Sequence, residues 1–110
     1  MNDTNKYEQL RRGLLEFVVL KVISHRKVYA ADILKALAST EFATGEGTLY
    51  PLVSRLRREG LITYEWVESE SGPPRKYFSL TDSGEAQLKD FEAYWITISK
   101  TLDQTGAHHE

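Results

Sequence analysis

Two short runs rich in β-branched and aromatic residues, at 61–67 and 75–80, interrupt a chain that otherwise shows helical periodicity. Such runs, divided by turn residues, are typical of an antiparallel β-hairpin. The dividing segment, residues 68–74, ends in Gly72-Pro73-Pro74. Because proline has a fixed φ, we expect a hairpin with a rigid tip at this point.

Three helical segments precede the hairpin. In the first, residues 7–24, apolar residues recur at helical spacing and form a stripe broad enough to be buried on more than one side. His25 follows, where a cation complements the helix dipole, and this end-capping role suits it better than ligation or catalysis. The second segment, residues 30–39, is short and amphipathic. A turn over residues 40–45 separates it from the third, which we expect to begin near residues 46–48.

The third helix is expected to stop at Gly60 and has two different faces. One side must face the core, since it carries the apolar residues Leu49, Leu52, Val53 and Leu56. The rest of its surface lacks bulky aliphatic residues and carries Gly47, Thr48, Tyr50, Pro51, Ser54, Arg55 and Arg58. Small, hydroxyl-bearing and cationic groups of this kind suit a polyanion.

A last helical segment follows Thr81, which suits an N-cap, and runs to about residue 102. Its apolar residues are spaced three, four, three and four apart, as in a heptad seam: Leu88, Phe91, Trp95, Ile98 and Leu102. A seam of this kind needs a partner helix. We therefore expect two copies of the chain to pair through this segment as a homodimer.

Three helices followed by a two-stranded hairpin is the element order of a winged helix-turn-helix, mainly α with a small antiparallel β-hairpin (α+β). In that fold the third helix enters the major groove of double-stranded DNA and the hairpin touches the neighbouring backbone or minor groove. For phosphate contacts the sequence offers Arg55, Arg58, Arg75 and Lys76. For base reading it offers Thr48, Tyr50, Pro51, Ser54 and Arg55.

Charge supports a division of the chain into three parts. Residues 1–81, the expected winged helix-turn-helix, carry 12 Lys and Arg against 10 Asp and Glu, whereas residues 82–110 carry 2 against 6. Within the second part, residues 82–103 form the expected dimerisation helix and residues 104–110 an expected disordered tail. The tail's His108-His109-Glu110 is more typical of a disordered end than of a metal site.

Length and composition limit the classes of protein. A chain of 110 residues has room for one modest core, and its three histidines form no set with a nucleophile or an acid–base pair, so an enzyme is not expected. The absence of cysteine excludes disulfides and thiolate metal sites and fits a reducing compartment, which makes the cytoplasm the expected location. No apolar run approaches the ~18 residues that a membrane span needs. No cofactor is expected.

Dense motifs cover residues 46–84. They read Glu-Gly-Thr-Leu-Tyr-Pro-Leu over 46–52, Arg55-Leu56, Glu-Gly-Leu-Ile over 59–62, Gly-Pro-Pro-Arg-Lys-Tyr-Phe over 72–78 and Leu-Thr-Asp-Ser-Gly over 80–84. This succession of recognition helix, wing and helix start resembles the PadR-like transcriptional regulators, in the short class with a single C-terminal dimerisation helix. The resemblance spans most of the chain, more loosely at its flanks.

The resemblance implies a homodimeric repressor that binds a roughly palindromic operator and is often relieved by a small aromatic or drug-like molecule. One departure lies in the second helix. The family often has a Gly-Tyr pair after an aromatic residue, whereas here Tyr29 is followed by Ala30-Ala31. A DNA contact attributed to that family tyrosine is therefore not carried over.

A candidate effector site combines aromatic and aliphatic residues of the first and last helices. Leu10, Leu14, Phe17, Phe91, Tyr94 and Trp95 could line an apolar cleft in which a flat aromatic ligand stacks. The same aromatic residues could instead fill the dimer interface, where Trp and Tyr are enriched. Both alternatives remain open, as does a winged-helix module that binds protein rather than DNA.

Overall fold

The computed structural model describes residues 3–107 and contains four helices and one hairpin. In chain order these are α1 (Asp3–His25), α2 (Ala30–Leu37), α3 (Glu46–Arg58), β1 (Ile62–Ser69), β2 (Gly72–Leu80) and α4 (Asp82–Ala107). The two strands pair antiparallel as one sheet. This arrangement confirms the predicted fold class. Within residues 3–107, no helix is both long and apolar enough to cross a membrane.

The core lies where α1, α2, α3 and the hairpin meet. Its largest fully buried side chains are Val19, Leu20, Ile23, Ile33, Leu49, Leu56 and Ile62. On α3 the predicted inner side is confirmed, because Leu49, Val53 and Leu56 are buried and Leu52 packs against them. With its apolar side fixed inward, α3 must present its small and cationic residues outward.

Gly60 ends α3, as the sequence predicts. It adopts a φ of 80°, which an L side chain would resist, while its N–H bonds the carbonyl of Arg57 at 3.0 Å. The N–H of Leu61 returns to the carbonyl of Leu56, also at 3.0 Å. These two bonds form a Schellman motif, which satisfies the last carbonyls of the helix and turns the chain into β1.

The hairpin is longer than the sequence predicted. Pairing runs from Ile62 with Leu80 out to Ser69 with Gly72, with an irregularity between Val67 and Ser69. The expected loop over residues 68–74 is therefore wrong for most of its length, since only residues 70–71 form the tip. Pro73 and Pro74 lie in β2 at this irregularity, where neither has a paired residue on β1, so the strand accommodates two residues that lack an N–H.

Both long helices exceed their predicted bounds. α1 starts at Asp3, and α4 continues to Ala107, so residues 104–107 of the expected disordered tail are helical. No Pro stands between residue 82 and the end of α4 to stop it. His108-His109-Glu110 lies outside the described residues.

Thr81 joins the start of α4 to the end of α3. Its side-chain oxygen accepts a hydrogen bond from the N–H of Gly84 at 3.0 Å, which confirms the predicted N-cap, and its hydroxyl donates to the carbonyl of Gly60 at 2.6 Å. The backbone N–H of Thr81 also donates to the carbonyl of Leu61 at 3.1 Å. Gly84 is buried against that same carbonyl, leaving no room for a Cβ.

Beyond this junction α4 extends away from the core. The Cα radius of gyration is 16.8 Å, whereas a compact chain of this length has about 13 Å. Leu88, near the start of α4, is buried in the chain's own core, while Trp95 and Leu102 further along are 43% and 68% exposed. The far half of α4 thus presents apolar side chains that the chain itself does not cover.

Candidate nucleic-acid interface

An open cleft of about 760 Å³ separates the outward face of α3 from the hairpin, or wing. The cleft is lined by Tyr29, Ala30, Ala31, Tyr50, Val53, Ser54, Arg57, Arg58, Tyr64, Arg75, Lys76 and Phe78. These residues come from α3, from both strands of the wing and from the start of α2. A recognition helix and a wing therefore contribute to one continuous surface, as a winged helix-turn-helix requires for contact with DNA.

The cleft is cationic. Four of its lining residues are Arg57, Arg58, Arg75 and Lys76, and none is Asp or Glu. Among the ion pairs of the part of the chain that the structure describes, none involves any of these four cations. Their charge is therefore available to a polyanion, although the whole chain has a net charge of -2.

Aromatic rings of the wing hold two of these cations in place. The guanidinium of Arg57 lies 4.7 Å from the ring centre of Tyr64, and the ammonium of Lys76 lies 4.4 Å from the same ring. Lys76 is also 5.3 Å from the ring of Trp66. A cation over an aromatic face is restrained but not neutralised, so its charge remains directed at the cleft.

Tyr29 ties the wing to the helical body. Its hydroxyl accepts a hydrogen bond of 2.9 Å from the guanidinium of Arg75, which lies 4.8 Å from the tyrosine ring centre. The preceding residue, Val28, pairs with Phe78 of β2 through two backbone hydrogen bonds of 3.2 and 2.7 Å. The orientation of the wing relative to α2 is thus fixed at both backbone and side-chain level.

Arg55 occupies a different place from the one the sequence suggested. One terminal nitrogen of its guanidinium bonds Glu16 of α1 at 3.0 Å and the other bonds Glu59 at 3.1 Å. The hydrogen bond with Glu16, and secondarily the one with Glu59, raises the pKa of Arg55 above its ordinary value. Glu16 also accepts a bond of 3.1 Å from Gln87 of α4. The expectation that Arg55 projects freely beside Arg58 is therefore corrected, because its charge is used to link helices.

The other predicted DNA contacts fall into two groups. The structure brings five of them together in the cleft: Tyr50, Ser54, Arg58, Arg75 and Lys76. Pro51 is exposed on α3 outside the cleft, and Thr48 lines a smaller hollow beside Arg11 and Arg12. Three cleft residues that sequence reasoning missed are Arg57, Tyr29 and Tyr64. Arg57 carried a signal, because it follows Tyr50 and Ser54 at helical offsets of seven and three.

The candidate effector residues are only partly assembled. Phe17 and Phe91 stack with ring centres 4.0 Å apart, and Trp95 approaches Phe91 at 6.0 Å. A crevice of about 390 Å³ between α1, α2 and α4 is lined by Phe17 and Phe91 but by none of the other four candidates, Leu10, Leu14, Tyr94 and Trp95. Within a single chain, the predicted cleft thus reduces to its Phe–Phe pair.

The predicted seam on α4 is only partly available to a second copy. Leu88 is 6% exposed and belongs to the chain's own core, so it is not free to contact a second copy. Phe91 and Ile98 are partly buried, whereas Trp95 and Leu102 are exposed. The available apolar surface on α4 therefore begins after the point at which α4 leaves α1.

A winged helix-turn-helix with a cationic cleft between its third helix and its wing defines a DNA-binding transcriptional regulator. The chain belongs to the PadR-like family of transcriptional regulators, whose family model matches residues 19–90. That match runs from the last third of α1 through both strands into α4. Family and structural neighbours are regulators and not enzymes, in agreement with the sequence-based expectation.

Solved structures of PadR-like proteins have the same fold. A PadR-like transcription factor from Bacteroides fragilis is 42% identical, with 92% of this chain and 98% of that chain covered and a TM-score of 0.79. A PadR-like regulator from Bacillus cereus is 34% identical over 92% of this chain and 99% of that chain, with a TM-score of 0.80. One from Eggerthella lenta is 32% identical over 96% and 93%, with a TM-score of 0.82.

Proposed function

We propose that this chain acts in the cytoplasm as a homodimeric repressor that binds double-stranded DNA, with α3 in the major groove and the wing on the adjacent backbone. The observation that carries the proposal is the set of four cations in the cleft, none of them paired with a carboxylate of the described residues. A surface prepared for a protein partner would not need four uncompensated charges of one sign.

The cleft residues divide by the contacts that their chemistry allows. Arg57, Arg58, Arg75 and Lys76 bind phosphates, which fixes the register of the protein on the duplex. Tyr50 and Ser54 lie on the outward face of α3 and read base edges.

Three further residues named from the sequence lie outside the cleft. Thr48 and Pro51 remain predicted base contacts, since both are exposed on α3. Arg55 has a structural role in this proposal, because its guanidinium is already engaged by Glu16 and Glu59.

The dimer is proposed to form through the uncovered half of α4, together with the start of α1. The two segments carry exposed large apolar side chains: Tyr7 and Leu10 on α1, and Tyr94, Trp95, Ile96 and Leu102 on α4. Large apolar side chains left exposed along a helix are typical of interaction surfaces. Two-fold pairing would present the two α3 helices to major grooves about 34 Å apart, which is one turn of DNA.

A small aromatic effector is part of the same proposal. The crevice beside the Phe17–Phe91 pair has a volume of about 390 Å³, in the range of small-molecule sites, and a flat ring could extend the stack. The crevice lies between α2 and α4. A bound ligand would therefore be coupled to the angle between α4 and the winged helix-turn-helix. In the alternative, these aromatics only fill an interface. Quenching of Trp95 fluorescence by an aromatic ligand would support the effector site, whereas unchanged fluorescence would favour the alternative.

Selection of duplexes from a randomised library, followed by titration at several salt concentrations, tests DNA binding. Four phosphate contacts from each protomer release counterions, so log K should fall with log salt with a slope of about -7. Selected sequences should be roughly palindromic. Failure to enrich any duplex, or an association that salt leaves unchanged, would contradict the proposal and favour a protein-binding module.

A further inference from the structure

The exposed large apolar side chains of the described residues fall into two groups. Six lie on α1 and α4 and are accounted for by the proposed dimer. The other two, Tyr50 and Trp66, lie beside the cationic cleft. Tyr50 has a role there as a reader of base edges. Trp66, with 62% of its surface exposed on β1, has none so far.

The pleat of β1 fixes the direction of Trp66. Successive side chains of a strand alternate between faces, so Ile62, Tyr64 and Trp66 share one face. Along this face exposure increases towards the tip of the wing: Ile62 is buried, Tyr64 is half-buried and lines the cleft, and Trp66 is exposed. The indole therefore lies beyond the core, on the face of the wing that is turned towards α3. The Tyr64 and Trp66 rings meet edge to face at 6.3 Å.

A cation accompanies the indole. Lys76 is the cross-strand partner of Trp66, and its ammonium lies 5.3 Å from the indole and 4.4 Å from Tyr64. A flat apolar ring and an unneutralised ammonium therefore stand side by side on the wing. A DNA strand presents the same pair of chemistries, because each deoxyribose has an apolar C–H face and is flanked by phosphates.

We propose that Trp66 packs its indole against a deoxyribose of the strand that passes the wing, while Lys76 binds the adjacent phosphate. The contact rests on the proposed DNA binding and adds an apolar, sequence-independent element to it. Bases inside a duplex are stacked on one another, so the sugar is the apolar surface that an unbent backbone offers to a side chain. Burial of the indole would contribute affinity that salt does not screen.

Fluorescence can follow Trp66 alone. The chain has 2 tryptophans, so Trp95→Phe leaves Trp66 as the sole indole, and Trp66→Phe provides the mirror control. The probe is an unlabelled random-sequence duplex at ~50 mM salt, where non-specific binding is strong. We expect the duplex to shift the Trp66 emission to the blue and to protect it from acrylamide, with native mass of the Trp95→Phe variant verified by light scattering.

Affinity measurements complete the test. Trp66→Ala should weaken binding roughly tenfold, both to the random duplex and to one selected from a library. Its salt slope should match that of the unmodified protein, whereas Lys76→Ala should lower the slope by about 1 for each phosphate that the lysine neutralises. The matched control is Thr63→Ala, an exposed position on the opposite face of β1, which should bind normally.

The outcomes separate this inference from the function on which it rests. If the unmodified protein binds duplexes, and Trp66→Ala binds the random and the selected duplex as tightly as the unmodified protein does, the sugar contact is wrong and the proposed function stands. A loss confined to the selected sequence would show base reading instead and would also overturn the sugar contact. If no duplex is bound, both proposals fail. Should Trp66→Ala unfold, Trp66→Phe decides, with a smaller loss expected at an unchanged melting temperature.

Discussion

The guanidinium of Arg75 on the wing donates a hydrogen bond of 2.9 Å to the hydroxyl of Tyr29, which directly precedes α2. The two residues are 46 positions apart, and the backbone pairing of Val28 with Phe78 brings their segments together. Through this contact, a residue of the helical body orients Arg75, one of the four cleft cations. Tyr29 is therefore a positioning residue for Arg75.

Replacing Tyr29 tests this role. Tyr29→Phe keeps the ring under Arg75 but removes the acceptor, so we expect DNA affinity to fall by about 0.5–1.5 kcal/mol at an unchanged melting temperature. In the Arg75→Ala background the same change should have almost no effect, because the group that it positions is gone. Fluorescence anisotropy with a selected duplex measures both. Additive losses in the double variant would show that Tyr29 acts independently of Arg75.

Arg57 and Arg55, two positions apart on α3, should differ in what they affect. Arg57→Ala should weaken binding roughly tenfold and lower the salt slope by about 1 for each phosphate that the arginine neutralises. Arg55→Ala should instead reduce the free energy of unfolding by about 1 kcal/mol, because it leaves Glu16 and Glu59 without their partner. Parallel binding and thermal melts compare the two variants. A large binding loss in Arg55→Ala with normal stability would contradict this division.

Leu88 and Leu102 offer a matched pair on α4. Leu88→Ala opens a cavity in the core of each chain and should cost about 2–5 kcal/mol of stability. Leu102→Glu places a charge on the exposed apolar surface and should shift the molecular mass towards the monomer while each chain remains folded. Light scattering and circular dichroism across a range of protein concentrations separate these effects. An intact dimer of Leu102→Glu would exclude this part of α4 from the interface.

Gly84 should not tolerate any side chain. An added Cβ would collide with the backbone carbonyl of Leu61, which a change of rotamer cannot relieve, so Gly84→Ala should destabilise the fold by about 1–3 kcal/mol. Gly106→Ala serves as the control, because a Cβ there meets nothing and alanine favours the helix. Chemical denaturation measures both. Equal midpoints for the two variants would mean that the junction is looser than described.

Local rules were enough to predict the elements and several of their boundaries. The 3.6-residue period identified the inner side of α3, and the individual chemistry of Gly60 and Thr81 fixed where α3 ends and α4 begins. These features depend on neighbours within one turn of the chain, which the sequence displays directly. The length of the hairpin escaped prediction because Pro73 and Pro74 are accommodated by an irregularity in the strand pairing, and this is a property of the assembled ribbon.

The candidate site was predictable in type but not in every member. Arg55 and Arg57 are the same residue type, two positions apart on one helix. Their surroundings differ because α1 brings Glu16, 39 positions away in the sequence, to the side of α3 that carries Arg55. Likewise, heptad spacing placed Leu88 in a seam, although the first turns of α4 pack against α1 of the same chain. In both cases a long-range contact, invisible to spacing rules, decided what the side chain faces.

The joint at Thr81 and Gly84 makes α4 a lever with its pivot at the end of the recognition helix. With 26 residues, α4 is about 39 Å long, so a 5° tilt at the pivot displaces its far end by on the order of 3 Å. Conversely, if two protomers are joined through the far ends of their α4 helices, a change in how those ends pack would move both α3 helices. The reach between half-sites would then depend on the hydrogen bonds of Thr81 at that pivot and on the packing of Leu88 and Phe91 at the first turns of α4.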